Sequence, residues 1–160
     1  MSTSLAQGAR EHLVQYAPLR VLLGSGKGFP TWIFRGQDDL SKPYVNMEGT
    51  GQAALLLRQD GGWTTPNRHN TMSFPRLVVE CYIDPERDAL GNEVGPDVMS
   101  RFQSIWTMVD RYLRNVDHSV VMWGDIRTLG CDRLDEWSVF ALPDGGGIRV
   151  SRAGFGVTLG

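Results

Sequence analysis

Residues 21–30, VLLGSGKGFP, set a lysine among glycines behind a short apolar run, the residue types of a phosphate-cradling loop. The spacing leaves that site incomplete. A loop of the form GxxxxGK[ST] needs a hydroxyl after the lysine to bind magnesium, and Gly28 stands there. Its opening glycine falls at Val21, and the third glycine of a dinucleotide loop falls at Phe29. The stretch also runs into Phe29-Pro30 and an expected strand, not into a helix N-terminus that would hold a phosphate. It reads as a surface loop with one solvated lysine, Lys27.

The other reactive side chains are scattered. His12, His69 and His118 include no pair at metal-ligand spacing, and no cysteine pair supports them. His12 is expected to be exposed on the first helix, and His69, within PNRHN, to make loop hydrogen bonds. No GxSxG motif occurs. Cys81 alternates with Val79 and Ile83, which puts it on a core face where a thiol is inert. Glu80 and Asp84 share the opposite face of that strand. Two carboxylates on one face suit acid–base work; a solvated sheet face or a subunit contact is the commoner origin of such a pair. Of five tryptophans, Trp32, Trp106, Trp123 and Trp137 fall in apolar elements, while Trp63 sits in the polar stretch DGGWTTPNRHN, where an aromatic often anchors a contact. No cofactor or metal is implied, and no enzymatic motif is complete. The competing enzyme reading is a small nucleotide- or phosphate-binding protein using GSGKG.

Bulk composition narrows the class further. A chain of 160 residues points to one domain, spanning 1–160, large enough to bury roughly 70% of its unfolded surface. Hydrophobic residues make up 41% and charged residues 21%, values of a globular protein. With 16 basic and 18 acidic residues the net charge is −2, which lacks the concentrated positive field of a nucleic-acid or membrane binder. Two cysteines far apart in sequence read as buried free thiols of a reducing compartment. The start, MSTSLAQGAREHL, has no apolar signal core, and no run approaches the roughly 20 apolar residues of a membrane helix, so folding in a cytoplasm is expected.

Positioning these residues requires an α+β fold. Residues 4–17 have helical spacing, with Ser4 as cap and Pro18 as the stop. Residues 19–23 read as a short strand or a helical continuation. Strands are expected at 31–35, 52–58, 76–83, 118–128, 136–142 and 148–159. A long loop takes up residues 60–75; loops of that length are uncommon in a compact domain, and many are functional. The best helix spans about 96–115, with Gly95 at the cap and an apolar stripe through Val98, Phe102, Ile105 and Val109. The expected architecture is a mixed, mostly antiparallel sheet flanked by an N-terminal helix and this long helix.

Residues 54–85, ALLLRQDGGWTTPNRHNTMSFPRLVVECYIDP, carry a resemblance. A strand ends in Arg and then Gly-Gly, a polar loop follows, and a Pro-led strand ends in an acid. A long helix and a final strand rich in glycine and apolar residues come after. In this order the chain resembles tail terminator proteins of long-tailed, siphovirus-type bacteriophages, particularly those of actinobacterial hosts, from about residue 5 to 160. The resemblance implies a non-enzymatic virion protein, assembled in the host cytoplasm. Such proteins form a homohexameric ring at the head-proximal end of the tail, stop growth of the tube and present the head-joining surface. Its partners would be other copies of itself, the major tail tube protein and head–tail connector proteins, with DNA passing through the lumen unread. A neck or stopper protein is the neighbouring alternative. In a ring, Trp63 and Arg68 are expected to anchor a subunit contact, with His69 beside them. Glu80 and Asp84 are possible carboxylate partners, and Lys27 is a candidate contact with tube or connector.

Overall fold

A computed structural model describes residues 4–24, 33–35, 53–64, 73–95, 97–114, 120–141 and 147–159. The apolar run RLVVECYI lies in strand β3 (Ser73–Ile83), in the middle of a seven-stranded sheet. β3 pairs antiparallel with β2 (Ala53–Thr64) on one side and β7 (Arg149–Leu159) on the other. β1 (Ile33–Arg35) adds to β2 in parallel, with Ile33 opposite Leu55. Beyond β7 lie β5 (Ile126–Arg133) and β4 (Val121–Trp123), and β6 (Ser138–Ala141) also pairs with β7. Every pairing except β1–β2 is antiparallel. Helices α1 (Leu5–Leu13), α2 (Ala17–Leu22) and α3 (Val98–Leu113) complete the α+β fold that the sequence implies.

β7 is shared along its second edge. Residues 149–152 pair with β6 and residues 155–159 with β5. At the switch, the Leu134 amide donates to the Gly154 carbonyl (2.8 Å), and the Gly154 amide donates to the Asp135 carboxylate (2.7 Å). Both backbone groups of the crossing residue are therefore satisfied where the ladder changes strands. A Cβ on Gly154 would stand 2.7 Å from the Arg76 guanidinium, so glycine is what lets that side chain cross the strand.

Several element boundaries differ from the sequence-based expectation. The first helix stops at Leu13, and Pro18 does not terminate it. Pro18 instead opens α2, where its missing N–H costs nothing in the first turn, and residues 19–22 are helical. Strand β2 continues past Arg58 through Gly61-Gly62 to Thr64 by means of a bulge between Asp60 and Gly62. β3 likewise begins at Ser73, so the ends of the expected 60–75 loop are strand, and 65–72 lie outside the described residues. Gly124, at φ 62°, turns the expected 118–128 strand into the β4–β5 hairpin. The cap of α3 is Asp97, whose carboxylate accepts from the Ser100 amide, and not Gly95.

The sheet is buried on both faces. On one, Leu55, Leu57, Val79, Cys81, Phe155 and Val157 meet Leu5, Ala9 and Leu13 of α1 and Phe102, Trp106 and Val109 of α3. On the other, Leu56, Tyr82, Ile148 and Val150 form a smaller cluster. α1 lies close on the sheet because position 8 has no side chain. A Cβ there would meet the Trp123 carbonyl at 2.7 Å and the Ile126 Cδ1 at 2.8 Å. Gly8→Ala is expected to destabilise the fold by about 1–2 kcal/mol, because overpacking outweighs the helix propensity gained. Chemical denaturation checks this; a stabilised variant would contradict the close approach of α1 to the β4–β5 hairpin.

His12 is not exposed as expected. Its ring is buried, stacks on Trp123 (centroids 5.8 Å) and meets Tyr16 edge-on (5.2 Å). Nε2–H donates to the Tyr112 carbonyl at 2.7 Å, since a carbonyl only accepts, and this ties α1 to the end of α3. Burial pushes the His12 pKa below its ordinary 6.5, and the carbonyl bond opposes that shift only in part. Between these two values the unfolded chain binds more protons than the folded one. Stability is thus unaffected by His12 above pH 6.5 and falls as pH drops from there through the folded value. Denaturation of wild type and His12→Gln between about pH 7.5 and pH 5 should show the wild-type advantage shrinking on acidification. Groups common to both proteins cancel in that difference, including Asp110, whose pKa burial raises.

Candidate assembly surfaces

The side chains singled out in the sequence are not gathered into one reactive site. Lys27, Arg68 and His69 lie outside the described residues. Trp63 lies in β2, opposite Phe74 of β3, and so belongs to a strand and not to a polar loop. Glu80 and Asp84 are separated by their partners. Glu80 is buried, which corrects the expectation of a solvated face. It pairs with Arg58 of β2, lies 3.6 Å from the Arg152 Nε of β7, and accepts from the Tyr82 hydroxyl at 2.7 Å. Asp84, past the end of β3, pairs with Arg87 at 2.9 Å. One carboxylate thus joins three strands and the other ties down a connection.

Arg58, Arg152 and Tyr82 were not singled out in the sequence. The two arginines reach Glu80 through register, which sets Leu56 and Arg152 beside it, while Tyr82 lies two positions along β3 itself. Burial and the bond to Glu80 both push the Tyr82 phenol up, so it remains a donor. Both thiols are buried and free as expected; burial raises Cys81 strongly and pushes Cys131 up to about 12, which keeps them unreactive. Among the described residues, no group of three His, Cys, Asp or Glu side chains is arranged to hold a metal ion.

Two exposed surfaces stand out, at opposite ends of α3. At its N-terminal end, residues 84–95 form a ribbon closed by the Arg87–Glu93 bridge and by the Val94 amide donating to the Glu86 carbonyl. The Asp88 carboxylate accepts from the Leu90 and Asn92 amides and shapes the tip. Leu90 at that tip is 86% exposed. Glu93 pairs with Arg149 at 2.9 Å and holds the ribbon to the start of β7. Between ribbon and helix runs a cleft of about 480 Å³, lined by Pro85, Val94, Val98, Met99 and Val139, with Glu93 and Asp97 at its wall.

At the other end of α3, Tyr112 stacks on Tyr16 (3.7 Å between centroids) and its carbonyl holds His12, which stacks on Trp123 of β4. β4 is the outermost strand on that side, pairing with β5 alone among the described residues. Met122 of β4, 51% exposed, and Val120, just before the strand, are exposed, with exposed Arg127 directly opposite Met122 on β5.

A solved counterpart of this fold exists. A chain in the virion of a native gene transfer agent particle matches with a TM-score of 0.61 at 15% identity, over 98% of this chain and 94% of that one. No protein-family model and no curated protein sequence matches the chain. At that identity the likeness is one of fold. No described helix is long and apolar enough to cross a membrane.

Proposed function

We propose that this chain is a structural virion protein that caps the tail tube as a homohexameric ring, ends tube growth and offers the head-joining surface. The observation that carries this reading is the fold likeness to a virion chain along nearly the whole length of both proteins. The order of elements in residues 54–159 supports the terminator role in particular, through its resemblance to tail terminators. Two unlike surfaces at opposite poles suit a cyclic assembly, which needs heterologous contacts. On this reading the protein sits at the head-proximal end of the tail. Its neighbours are the tube protein and a head–tail connector, and DNA passes its lumen without being read.

Loss of the protein is expected to give overlong tail tubes in electron micrographs of infected or producing cells. Tubes of normal length left unattached to heads would instead indicate a neck or stopper protein. Calorimetric binding of ATP, GTP, NAD or FMN would favour an enzyme using the GSGKG stretch.

A further inference from the structure

We propose that residues 86–95 form a strap that swings as one unit over the cleft beside α3, latched by charged groups of α3 and β7 and not by apolar packing. The strap belongs to the single chain and needs no second copy. Inside, it is braced. The Arg87–Glu93 bridge, the Val94 amide on the Glu86 carbonyl (2.8 Å), the Asp88 amide on the Asn92 carbonyl (2.9 Å) and the Asp88 carboxylate on two tip amides hold it as one piece. Its hold on the body is of another kind. From Glu86 to Gly95 no residue is buried and only Arg87 is half-buried, so little loss of apolar contact opposes release.

The fastenings are charged. Glu93 pairs with Arg149 of β7 at 2.9 Å, and both side chains are partly exposed. Arg149 also donates to the Gly147 carbonyl, and the Arg87 guanidinium lies over Gly147, where a Cβ would strike it. Arg101 of α3 attracts Glu86 together with Asp84. Pairs this exposed hold weakly and are screened by salt, so the strap leaves the body far more readily than a sheet strand does. Pro85, buried, marks where the strap leaves the body, and Gly95, at φ 82°, where it returns. Glycine absorbs a change of direction there that a larger residue resists. Opening uncovers Val98 and Val139, which line the cleft and pack on the edge of the core. The latch thus sets how much apolar surface this end of the molecule shows.

Two measurements on the full chain test this. Nitroxide labels on Leu90→Cys and Gln103→Cys, both at exposed positions, report the distance from the strap tip to the outer side of α3. Buried Cys81 and Cys131 take no label. One distance should dominate at low salt. A second should gain about three- to fivefold in population between about 0.02 M and about 0.5 M salt, and as much on Glu93→Gln at low salt. Hydrogen exchange of the bonded Asp88, Gly91 and Val94 amides should meanwhile change by less than about twofold, because the strap moves without unravelling. A single distance under every condition would overturn the proposal. So would a second distance that comes with lost amide protection, since the ribbon would then melt and not swing.

Discussion

Trp106→Ala should lower the free energy of unfolding by about 3–5 kcal/mol, the range for removing a buried aromatic. Trp106 is 1% exposed and lies between Phe155 of β7 and Trp137, with ring centroids 6.5 Å away in each case. Its indole N–H donates to the Ser151 hydroxyl at 2.7 Å, deep between α3 and β7. The variant therefore opens a cavity and strands a buried hydroxyl, two costs that add. Trp106→Phe separates them, because it keeps most of the packing and removes the donor. Urea denaturation of Trp106→Phe, Ser151→Ala and the double variant forms a cycle whose coupling should be about 1 kcal/mol or more. No coupling would mean that the bond adds nothing beyond the fit of the ring.

Glu80→Ala is expected to cost about 2–3 kcal/mol. The carboxylate is buried while Arg58 and Arg152 are half exposed. Removing one member of a fully buried pair costs more, but water here still solvates both guanidinium groups. What remains is the loss of an acceptor for the buried Tyr82 hydroxyl and of the tie across β2, β3 and β7. Glu80→Gln keeps an acceptor for Tyr82 and should lose about half as much, with a weaker dependence on salt than wild type. A loss below about 0.5 kcal/mol for the alanine variant would show that the cluster contributes no net stability.

The sequence made the strongest elements legible and left the environments obscure. The stripe of α3 and the β-branched run of β3 are local patterns, and both elements appear where the pattern puts them. Gly61-Gly62 looked like the start of a loop, yet a bulge absorbs it and the ladder continues, because pairing to β3 overrides local preference. Pro18 read as a helix stop, yet the extended backbone of Tyr16 places it in the first turn of α2. His12 was legible in retrospect: Leu5, Ala9, His12 and Tyr16 fall on one helical stripe, so the ring had to face inward. Glu80 had a similar clue. Val78 and Tyr82 flank it on its own face, and apolar residues of both parities mark a strand covered on both sides. Its arginine partners come from β2 and β7, 22 residues back and 72 residues on, and only register brings them together.

The placement of β7 also bears on when this molecule comes into being. The strand that joins β3, β5 and β6 is the last of the seven to leave the ribosome. Until residues 149–159 emerge, β5 with β4, and β6, have no neighbour linking them to the β2–β3 pair. The sheet thus closes after translation of everything before it, through contacts distant in sequence, which fold slowly. A nascent chain stalled before Arg149 should therefore remain sensitive to protease along its length.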